Sequence, residues 1–273
     1  MPLRLRRAFN VPSLVVPVLM AVLALSACAT PPPASDPDAV AEFKETNDPF
    51  EPSNRVFYAI NDGLDMVLLR PLAQAYRFVV PDVVRSRTHN VLTNLGTPVT
   101  LINDMMQGKP RRAGDTLMRM LVNTTFGVLG LFDVATDWGW PAHESDFGIT
   151  LAVWGMPDGA YLFLPILGPS NPRDAVGFGV DIGLDPFTYG GGAAFKDLSY
   201  FRFGMGAIDA RERVLDDLDK VTKQALDPYA TIRSLARQRR QSQIDDVLND
   251  TRATTPNGWA SPMSPTLPPQ PSK

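Results

Sequence analysis

The sequence has little of what a metal or thiol site needs. In 273 residues it contains one cysteine, Cys28, and two histidines, His89 and His143. A single cysteine cannot form an intrachain disulfide, and His143-Glu144 lacks the second histidine of the zinc-protease motif. We therefore expect no metal and no cofactor, and we interpret both histidines as surface or capping residues.

Other catalytic patterns are missing as well. No Gly-x-Ser-x-Gly occurs, which removes the commonest arrangement of a lipase nucleophile. The glycines of 177–183 resemble a dinucleotide fingerprint, but they have one residue too many and no βαβ unit around them. Close helix packing explains those glycines better, and the acids Asp216, Asp217 and Asp219 fit a solvated helix face. The chain is not expected to be an enzyme, and we assign it no catalytic residue.

A surplus of basic residues is also absent. The formal net charge is −3, so nothing in the composition would neutralise phosphates, and nucleic acid is not an expected partner. Hydrophobic residues make up 44% of the chain, which is enough for a core. The 26 prolines and 20 glycines argue against long uninterrupted helices and favour short helices broken by turns.

The N-terminus has the pattern of a bacterial lipoprotein signal. Three arginines within the first seven residues precede an apolar run at 11–25. The sequence LSAC at 25–28 then places Cys28 where such precursors are cleaved and lipidated. We predict a signal peptide at 1–27 and lipid attachment at Cys28. An ordinary signal peptide, or an uncleaved anchor with a chance cysteine, is the alternative.

The residues after Cys28 bear on location and domain organisation. Ala29 stands where an aspartate would resemble an inner-membrane retention signal, so lipid-anchored delivery to the periplasmic side of the outer membrane is favoured. Residues 28–47 are rich in proline and predict an extended tether. Residues 251–273 form a similar Pro/Ser-rich tail that we expect to be disordered. The folded domain is predicted at 48–250.

Helical spacing dominates between these tails, so the fold class is predicted to be mainly α. Asn54 is expected to cap a helix that ends before Pro71, and Thr97-Pro98 to begin a short helix that Gly108 closes. Further helices are expected after Pro110, around 214–225, and from Pro228 towards Leu248. Apolar residues recur on one side of the first helix at Phe57, Ile60, Leu64 and Leu68, and after Pro110 at Leu117, Met120 and Leu121.

The region 147–195 is unusually poor in charge. Between Ile149 and Pro169 the sole charged residue is Asp158. Pro157-Asp158-Gly159 interrupts this apolar run, which argues against a transmembrane helix. Two arms around that turn predict a re-entrant or interfacial hairpin, and a hairpin buried in a soluble core is the alternative.

Several blocks of sequence resemble one family. In order along the chain they read NDPFEPSNR at 47–55, NLGTP at 94–98, FGITL at 147–151, GAYLFLP at 159–165 and DPY at 227–229. The first block contains the motif positions Asp48, Pro49, Glu51, Asn54 and Arg55. Together the blocks resemble the MlaA (VacJ) family of outer-membrane lipoproteins, and the resemblance covers residues 47–240.

The resemblance implies a ring-like arrangement of short, Pro- and Gly-broken amphipathic helices lying in one membrane leaflet, with one short hairpin. It also implies a passive conduit that removes stray phospholipid from the outer leaflet of the outer membrane. A periplasmic carrier of the MlaC type would take the lipid away, which maintains lipid asymmetry. The implied partners are phospholipid, that carrier and a trimeric porin. A porin-associated or surface lipoprotein scaffold that moves no lipid is the alternative, and a phospholipase is a more distant one.

Two groups of candidate site residues follow. The first is a channel hairpin whose two glycines would act as pivots of a mobile turn beside the pore. It comprises Gly155, Pro157, Asp158, Gly159 and Tyr161. The second is a carrier contact on the basic first half of the last helix, for which a solvated face with a chance cluster is the alternative. It comprises Arg233, Arg237, Arg239 and Arg240.

Overall fold

The structure is a computed structural model that describes residues 46–190 and 193–250, together with residues 32, 33, 35–37, 40 and 43. The predicted signal peptide at 1–27, the lipidation site Cys28 and the tail at 251–273 lie outside the described residues. Most of the predicted tether lies outside them as well.

The described chain is mainly α-helical with one short antiparallel hairpin, as predicted. In chain order the elements are α1 (Glu51–Leu64), a π-helical turn (Asp65–Leu69), α2 (Arg70–Val79), α3 (Asp82–Met106), α4 (Pro110–Thr125), α5 (Val134–Asp137), α6 (Phe147–Val153), β1 (Leu162–Leu164), β2 (Gly168–Ser170), α7 (Pro172–Leu184), a 3-10 turn (Pro186–Thr188), α8 (Ala193–Arg213), α9 (Leu215–Gln224) and α10 (Pro228–Leu248).

Six of these helices pack in a closed circuit. Helix α2 contacts α8, α8 contacts α3, α3 contacts α6, α6 contacts α10, α10 contacts α9, and α9 contacts α2 again. Helix α4 packs on α3, and α1 packs on β1. The predicted ring-like arrangement is therefore confirmed.

Three sequence predictions about helix limits are wrong. Asn54 is not a cap, because α1 begins at Glu51 and Asn54 is buried within it. That helix does not stop before Pro71, since the π-helical turn leads straight into α2 with Pro71 in its first turn. Thr97-Pro98 does not begin a helix either, because Pro98 lies inside the 25-residue α3. The contacts of α3 on α4, α6 and α8 outweigh the cost of an internal proline, about 3 kcal/mol.

Gly108 ends a helix, as the sequence predicts, and Gly155 ends another in the same way. At the end of α3, Gly108 has a φ of 67° and Lys109 N–H donates to the Asp104 carbonyl at 3.1 Å. At the end of α6, Gly155 has a φ of 89° and Met156 N–H donates to the Leu151 carbonyl at 2.9 Å. Both are Schellman motifs, in which a left-handed residue ends the helix and satisfies its last carbonyls.

The hairpin lies elsewhere than predicted. The arm before Gly155 is helix α6, whose N-terminus Asp146 caps by accepting from Ile149 N–H at 2.9 Å. The hairpin is formed instead by β1 and β2, with Phe163 opposite Pro169. Residues 155–159 therefore connect α6 to β1 and are not the tip of a hairpin.

Among the described residues more polar than apolar side chains are buried, whereas many large apolar side chains are exposed. Helix α4 buries Arg112, Asp115, Thr116 and Arg119, while Leu117 and Leu121 are exposed. This arrangement inverts that of a water-soluble protein, and it recurs elsewhere. Phe78 is 91% exposed, and Asp104 is completely buried. Within the described residues, no helix is both long enough and apolar enough to cross a membrane.

The glycines of 177–183 include one that is required for packing. A methyl group on Gly177 of α7 would overlap the backbone of Gly148 on α6, so the two helices meet without side chains between them. Gly179, two residues later, has nothing within 4 Å of that position. The interpretation of these glycines as helix-packing sites holds for Gly177 and not for Gly179.

This contrast predicts that Gly177→Ala destabilises the fold while Gly179→Ala does not. We expect Gly177→Ala to lose about 1–3 kcal/mol from overpacking, which lowers Tm by about 2–12 °C for a domain of this size. Gly179→Ala should be neutral or stabilising by up to about 1 kcal/mol, because glycine is a poor helix residue. Thermal unfolding of both variants in the same detergent measures this, and equal Tm values would contradict it.

Candidate functional site

Asp48 lies at the centre of a buried network. Its carboxylate accepts hydrogen bonds from the Asn54 amide at 2.7 Å, from Arg233 Nη1 at 2.7 Å, and from the Tyr229 hydroxyl. Asp48 is 3% exposed, so these bonds replace the water that a carboxylate otherwise requires. Burial, followed by the bond to Asp48, raises the pKa of the Tyr229 hydroxyl, which therefore stays protonated and donates. The start of the domain is thus joined to its last helix.

Two asparagines on α1 hold the first hairpin strand. The Asn54 amide donates to the Tyr161 carbonyl at 3.0 Å, and its oxygen accepts from Phe163 N–H at 2.8 Å. Asn61 repeats this pattern with the Leu164 carbonyl at 3.0 Å and Ile166 N–H at 2.8 Å. Because the two asparagines are seven residues apart, they lie on one face of α1 and satisfy the free backbone edge of β1.

Arg55 fastens α1 to the start of α10. Its guanidinium pairs with Asp227 through both terminal nitrogens, at 3.2 and 2.5 Å, and lies 4.5 Å above the Tyr229 ring. The Tyr229 ring in turn packs edge-on against Tyr58 and close to Phe163. Glu51 accepts from Arg55 Nε at 2.8 Å, and Pro49 lies in the turn that leads into α1.

The structure therefore brings together residues that the sequence placed in separate groups. Arg233 from the predicted carrier contact pairs with Asp48 and Glu51 of the family motif. Asn54 of that motif donates to Asp48, and Arg55 and Arg233 both lie over the Tyr229 ring. Tyr161 from the predicted channel hairpin lies in the same cluster, with its side chain buried against Tyr229. This cluster therefore joins the first residues of the folded domain to its last helix.

The remaining arginines of α10 are not a free basic face. Arg240 forms paired hydrogen bonds with Asp146 and Asp174, at 2.7–2.9 Å, and joins α10 to the starts of α6 and α7. Arg237 donates to the Thr46 carbonyl at 2.5 Å. Arg239 pairs with Glu144 at 2.9 Å, and both of these side chains are exposed. The premise that all four arginines face solvent is corrected for Arg233 and Arg240.

Arg240 also fixes the charge state of its partner. Burial raises the pKa of the Asp174 carboxyl, but hydrogen bonds and positive charge from Arg240 and Arg173 outweigh burial and hold that pKa below its usual value. The stabilisation from this pair is therefore present at neutral pH and is lost as the pH falls through the carboxyl range.

The acids on α9 are not simply solvated, contrary to expectation. Asp219 pairs with Arg70 of α2 and with Arg211 of α8, and Asp216 pairs with Arg77 at 2.8 Å. Asp217 alone fits the expectation, being exposed and 3.9 Å from Lys220. These pairs lie at the contacts among α2, α8 and α9 and help to close the circuit.

The histidines are likewise interior or half-buried partners of acids. His143 Nε2 lies 2.8 Å from Asp104 and 3.0 Å from the Thr116 hydroxyl, and the His143 side chain is 8% exposed. His89 lies 2.8 Å from Asp209. The Thr116 hydroxyl donates to Asp104 at 2.6 Å, and both contacts of His143 use one nitrogen, so this group does not have the geometry of a nucleophile relay.

The loop at 155–159 has two left-handed glycines in different surroundings. A side chain on Gly155 would meet nothing within 4 Å, whereas one on Gly159, with a φ of 76°, would touch Pro172. The Gly159 carbonyl also accepts from the Asn47 amide at 2.7 Å, which ties that end of the loop to the Asp48 cluster. Pro157 is exposed, and Asp158 is half-buried.

The sequence reasoning assigned no structural role to several residues of this framework. Asn61, Asn103 and Gln107 are polar and hold other elements in place, yet none belongs to a catalytic pattern. A signal was present on α4, where Arg112, Thr116, Arg119 and Asn123 recur every three or four residues. That polar stripe marks the buried face as clearly as an apolar stripe would mark it in a water-soluble protein.

The Asp48 network predicts a large effect of one substitution. Asp48→Ala would leave the Arg233 guanidinium and the Tyr229 hydroxyl without their acceptor, which should cost about 3–5 kcal/mol. Asp217→Ala, at an exposed carboxylate, should change stability by less than about 0.5 kcal/mol. Hydrogen exchange of the purified variants measures this, with faster exchange expected at 159–166 and in the first turns of α10. Equal protection in the two variants would show that Asp48 does not hold these segments.

Comparison with known proteins agrees with this framework. The model of the MlaA lipoprotein family matches residues 46–243. The intermembrane phospholipid transport system lipoprotein MlaA of Haemophilus influenzae is 30% identical over 241 residues, 85% of this chain and 90% of that protein. Its Escherichia coli namesake is 32% identical over 197 residues, covering 71% and 76% of the two chains. An uncharacterized protein of Rickettsia bellii is 37% identical over 202 residues, covering 74% and 78%.

A solved structure also matches. Its description reads "Structural basis for maintenance of bacterial outer membrane lipid asymmetry". The superposition has a TM-score of 0.64 at 30% sequence identity. The match covers 72% of this chain and 98% of the other. Together, the match to the family model over most of the chain and these relatives assign the chain: it belongs to the MlaA lipoprotein family.

Proposed function

We propose that this chain is a passive conduit that removes mislocalised phospholipid from the outer leaflet of the outer membrane. It would hand the lipid to a periplasmic carrier and so maintain lipid asymmetry. The observation that carries the proposal is the inverted distribution of side chains. Large apolar side chains such as Phe78, Val67 and Ile166 face outwards, while Asn103, Asp104 and Arg119 are buried.

The inversion suits a protein that lies within one leaflet. Exposing Phe and Val side chains to water would cost about 25 cal/mol per Å² of apolar surface, whereas acyl chains accept them without that cost. An interfacial position needs no membrane-spanning helix, only apolar area that faces lipid. A lipid anchor at Cys28, as predicted from the sequence, would hold the chain at the same membrane.

The polar interior supports passage of a headgroup. A zwitterionic or anionic group that enters hydrocarbon loses its water and pays several kcal/mol unless polar partners replace that water. A passage through the circuit of helices, with polar side chains along its wall, would supply such partners while acyl chains stay in the leaflet. No step of this process breaks a bond in the lipid, so the proposal requires no catalytic residue.

The loop at 155–159 is our candidate for the mobile part of the conduit. A side chain on Gly155 would meet nothing within 4 Å, and glycine is the residue that most readily adopts other backbone angles. Gly159 is held by Asn47, so movement would be concentrated near Gly155, Pro157 and Asp158. Asp158 is the one charge between Ile149 and Pro169 and would favour the water-filled mouth over lipid.

The contacts of α10 reduce the number of arginines that could bind the carrier. Arg233 and Arg240 hold the interior together, so their replacement would disturb the fold before it tested docking. Arg239 and its partner Glu144 are exposed, and we propose that this part of α10 meets the carrier. A trimeric porin remains the proposed neighbour in the outer membrane.

The central experiment measures phospholipid in the outer leaflet of a deletion strain. A conduit predicts accumulation there and its reversal by the wild-type gene. A scaffold that moves no lipid predicts normal asymmetry after deletion, and this result would overturn the proposal. Labelling of intact cells with a reagent that does not cross the membrane, followed by lipid analysis, provides the measurement.

The same strain tests the loop with a matched pair of variants. Gly155→Val and Gly139→Val each place a β-branched residue at a left-handed position with open space around it. Each glycine also ends a short helix, so the backbone strain should be similar, of the order of 1–3 kcal/mol. If the loop controls passage, Gly155→Val raises outer-leaflet phospholipid and Gly139→Val does not. Equal behaviour at matched expression would make the loop part of the scaffold.

A further inference from the structure

The loop that joins α4 to α5 is held in a strained conformation. Val128 and Leu129 have φ values of 53° and 58°, which are unfavourable for any side chain and especially for a β-branched one. Hydrogen bonds hold this shape, including Gly130 N–H to the Asn123 carbonyl at 2.8 Å and the Asn90 amide to the Leu131 carbonyl at 3.2 Å. Strain of this kind persists only where the surroundings determine it.

Beside this loop lies a narrow groove of about 190 Å³. One wall is the first half of α3, a second is the loop, and a third is α8. The lining is apolar apart from Arg87 and Thr88, which lie between Val84 and Val91 along α3. Its apolar side chains are Val84, Val91, Leu92, Leu131 and Phe201.

Arg87 differs from its neighbour Arg85 in its charged partners. Among the described residues no carboxylate pairs with Arg87, whereas its neighbour Arg85 pairs with Glu212 and Asp82. The Cζ atom of the Arg87 guanidinium lies over the Phe132 ring, 4.4 Å from its centre, which is within the range of a cation–π contact. A ring cannot accept the guanidinium N–H groups as an anion does, so they could still donate to a phosphate.

We infer that this groove binds one phospholipid molecule, with the phosphate on Arg87 and part of an acyl chain between α3, the loop and α8. The inference rests on the proposed role in phospholipid transport and gives that role a specific site on the outer surface of the ring. Among the described residues Arg87 has no carboxylate partner, and such a charge on a surface that faces lipid would be costly. A phosphate would remove that cost through paired hydrogen bonds. The hydrogen bonds that hold the loop would keep the groove open for the acyl chain.

The charge of Arg87 distinguishes between the molecules that could occupy the groove. A detergent tail, a neutral lipid or an apolar protein segment could fill the groove, yet none would satisfy Arg87. A phospholipid supplies an acyl chain for the apolar lining and an anion for Arg87 in one molecule. The structure therefore assigns to Arg87 a preference for lipids that carry phosphate over lipids with identical acyl chains that lack it.

The test uses the full-length acylated protein in nanodiscs that contain a small fraction of photoreactive lipid. The probes are phosphatidylglycerol and diacylglycerol with the same diazirine-bearing acyl chains. Mass spectrometry locates the cross-links. We expect cross-linking at residues 84–92 and 126–132 to be about tenfold greater with phosphatidylglycerol, a ratio equivalent to about 1.4 kcal/mol.

Three variants provide the controls. Arg87→Gln should reduce the excess of phosphatidylglycerol to less than about twofold, and Arg87→Lys, which keeps the charge, should retain part of it. Arg111→Gln removes an exposed arginine from α4 and should leave the tenfold excess unchanged. Unchanged Tm values in the variants confirm that they are folded.

Two results would overturn the inference: equal cross-linking by both lipids, or an excess that survives Arg87→Gln. The assay contains no carrier, porin or second membrane, so such a failure would leave the transport proposal standing. Conversely, normal asymmetry in the deletion strain would refute transport without affecting lipid binding in this groove.

Discussion

Charges paired across helix contacts are the constraint on which this fold depends. Asp48 with Arg233, Asp174 with Arg240, and Asp219 with Arg70 each join elements that are distant in the sequence. A charge of this kind is tolerated inside a protein only when its partner is correctly placed, because an unpaired buried charge costs several kcal/mol. Each pair therefore fixes the relative position of two elements, and the pair Asp219–Arg70 holds the contact of α9 with α2 that closes the circuit.

Because these charged pairs occupy the interior, many apolar side chains lie on the outer surface of the protein. The buried apolar clusters are small, one around Ile149 and Val247 and one around Tyr161, Phe163 and Tyr229. A water-soluble domain of this length would draw most of its stability from a larger apolar core. The inverted arrangement is consistent with hydrocarbon as the outer solvent, where apolar side chains need no burial and polar groups must be satisfied internally.

The sequence indicates helical periods well but does not say which face is buried. The last helix runs from Pro228 to Leu248 as predicted, because Asp227 caps it and proline fits its first turn. The stripe containing Leu117 and Leu121 has the predicted spacing and faces outwards, since the rule that apolar stripes face the core assumes water outside.

The candidate site was harder to predict than the fold. Its family motif was evident in the sequence, yet the partners of that motif lie far along the chain, as with Arg55 and Asp227, which are 172 residues apart. No local pattern specifies such a pair. The acids of α9 and the arginines of α10 appeared to be surface charges for the same reason, because a single helix does not show what packs against it.

The orientation of side chains relative to lipid tests the account most directly. Since Cys28 is the only cysteine and is predicted to be lipidated, a cysteine introduced elsewhere would be the one free thiol available for a spin label. Labels at Phe78, Ile166 and Phe203 in reconstituted vesicles should be reached by oxygen and not by a water-soluble nickel chelate. They should lie no deeper than half of the hydrocarbon core, about 15 Å, while a label at Asp217 should be reached by the chelate. Chelate access at Phe78 and Ile166 equal to that at Asp217 would contradict the placement of this ring in one leaflet.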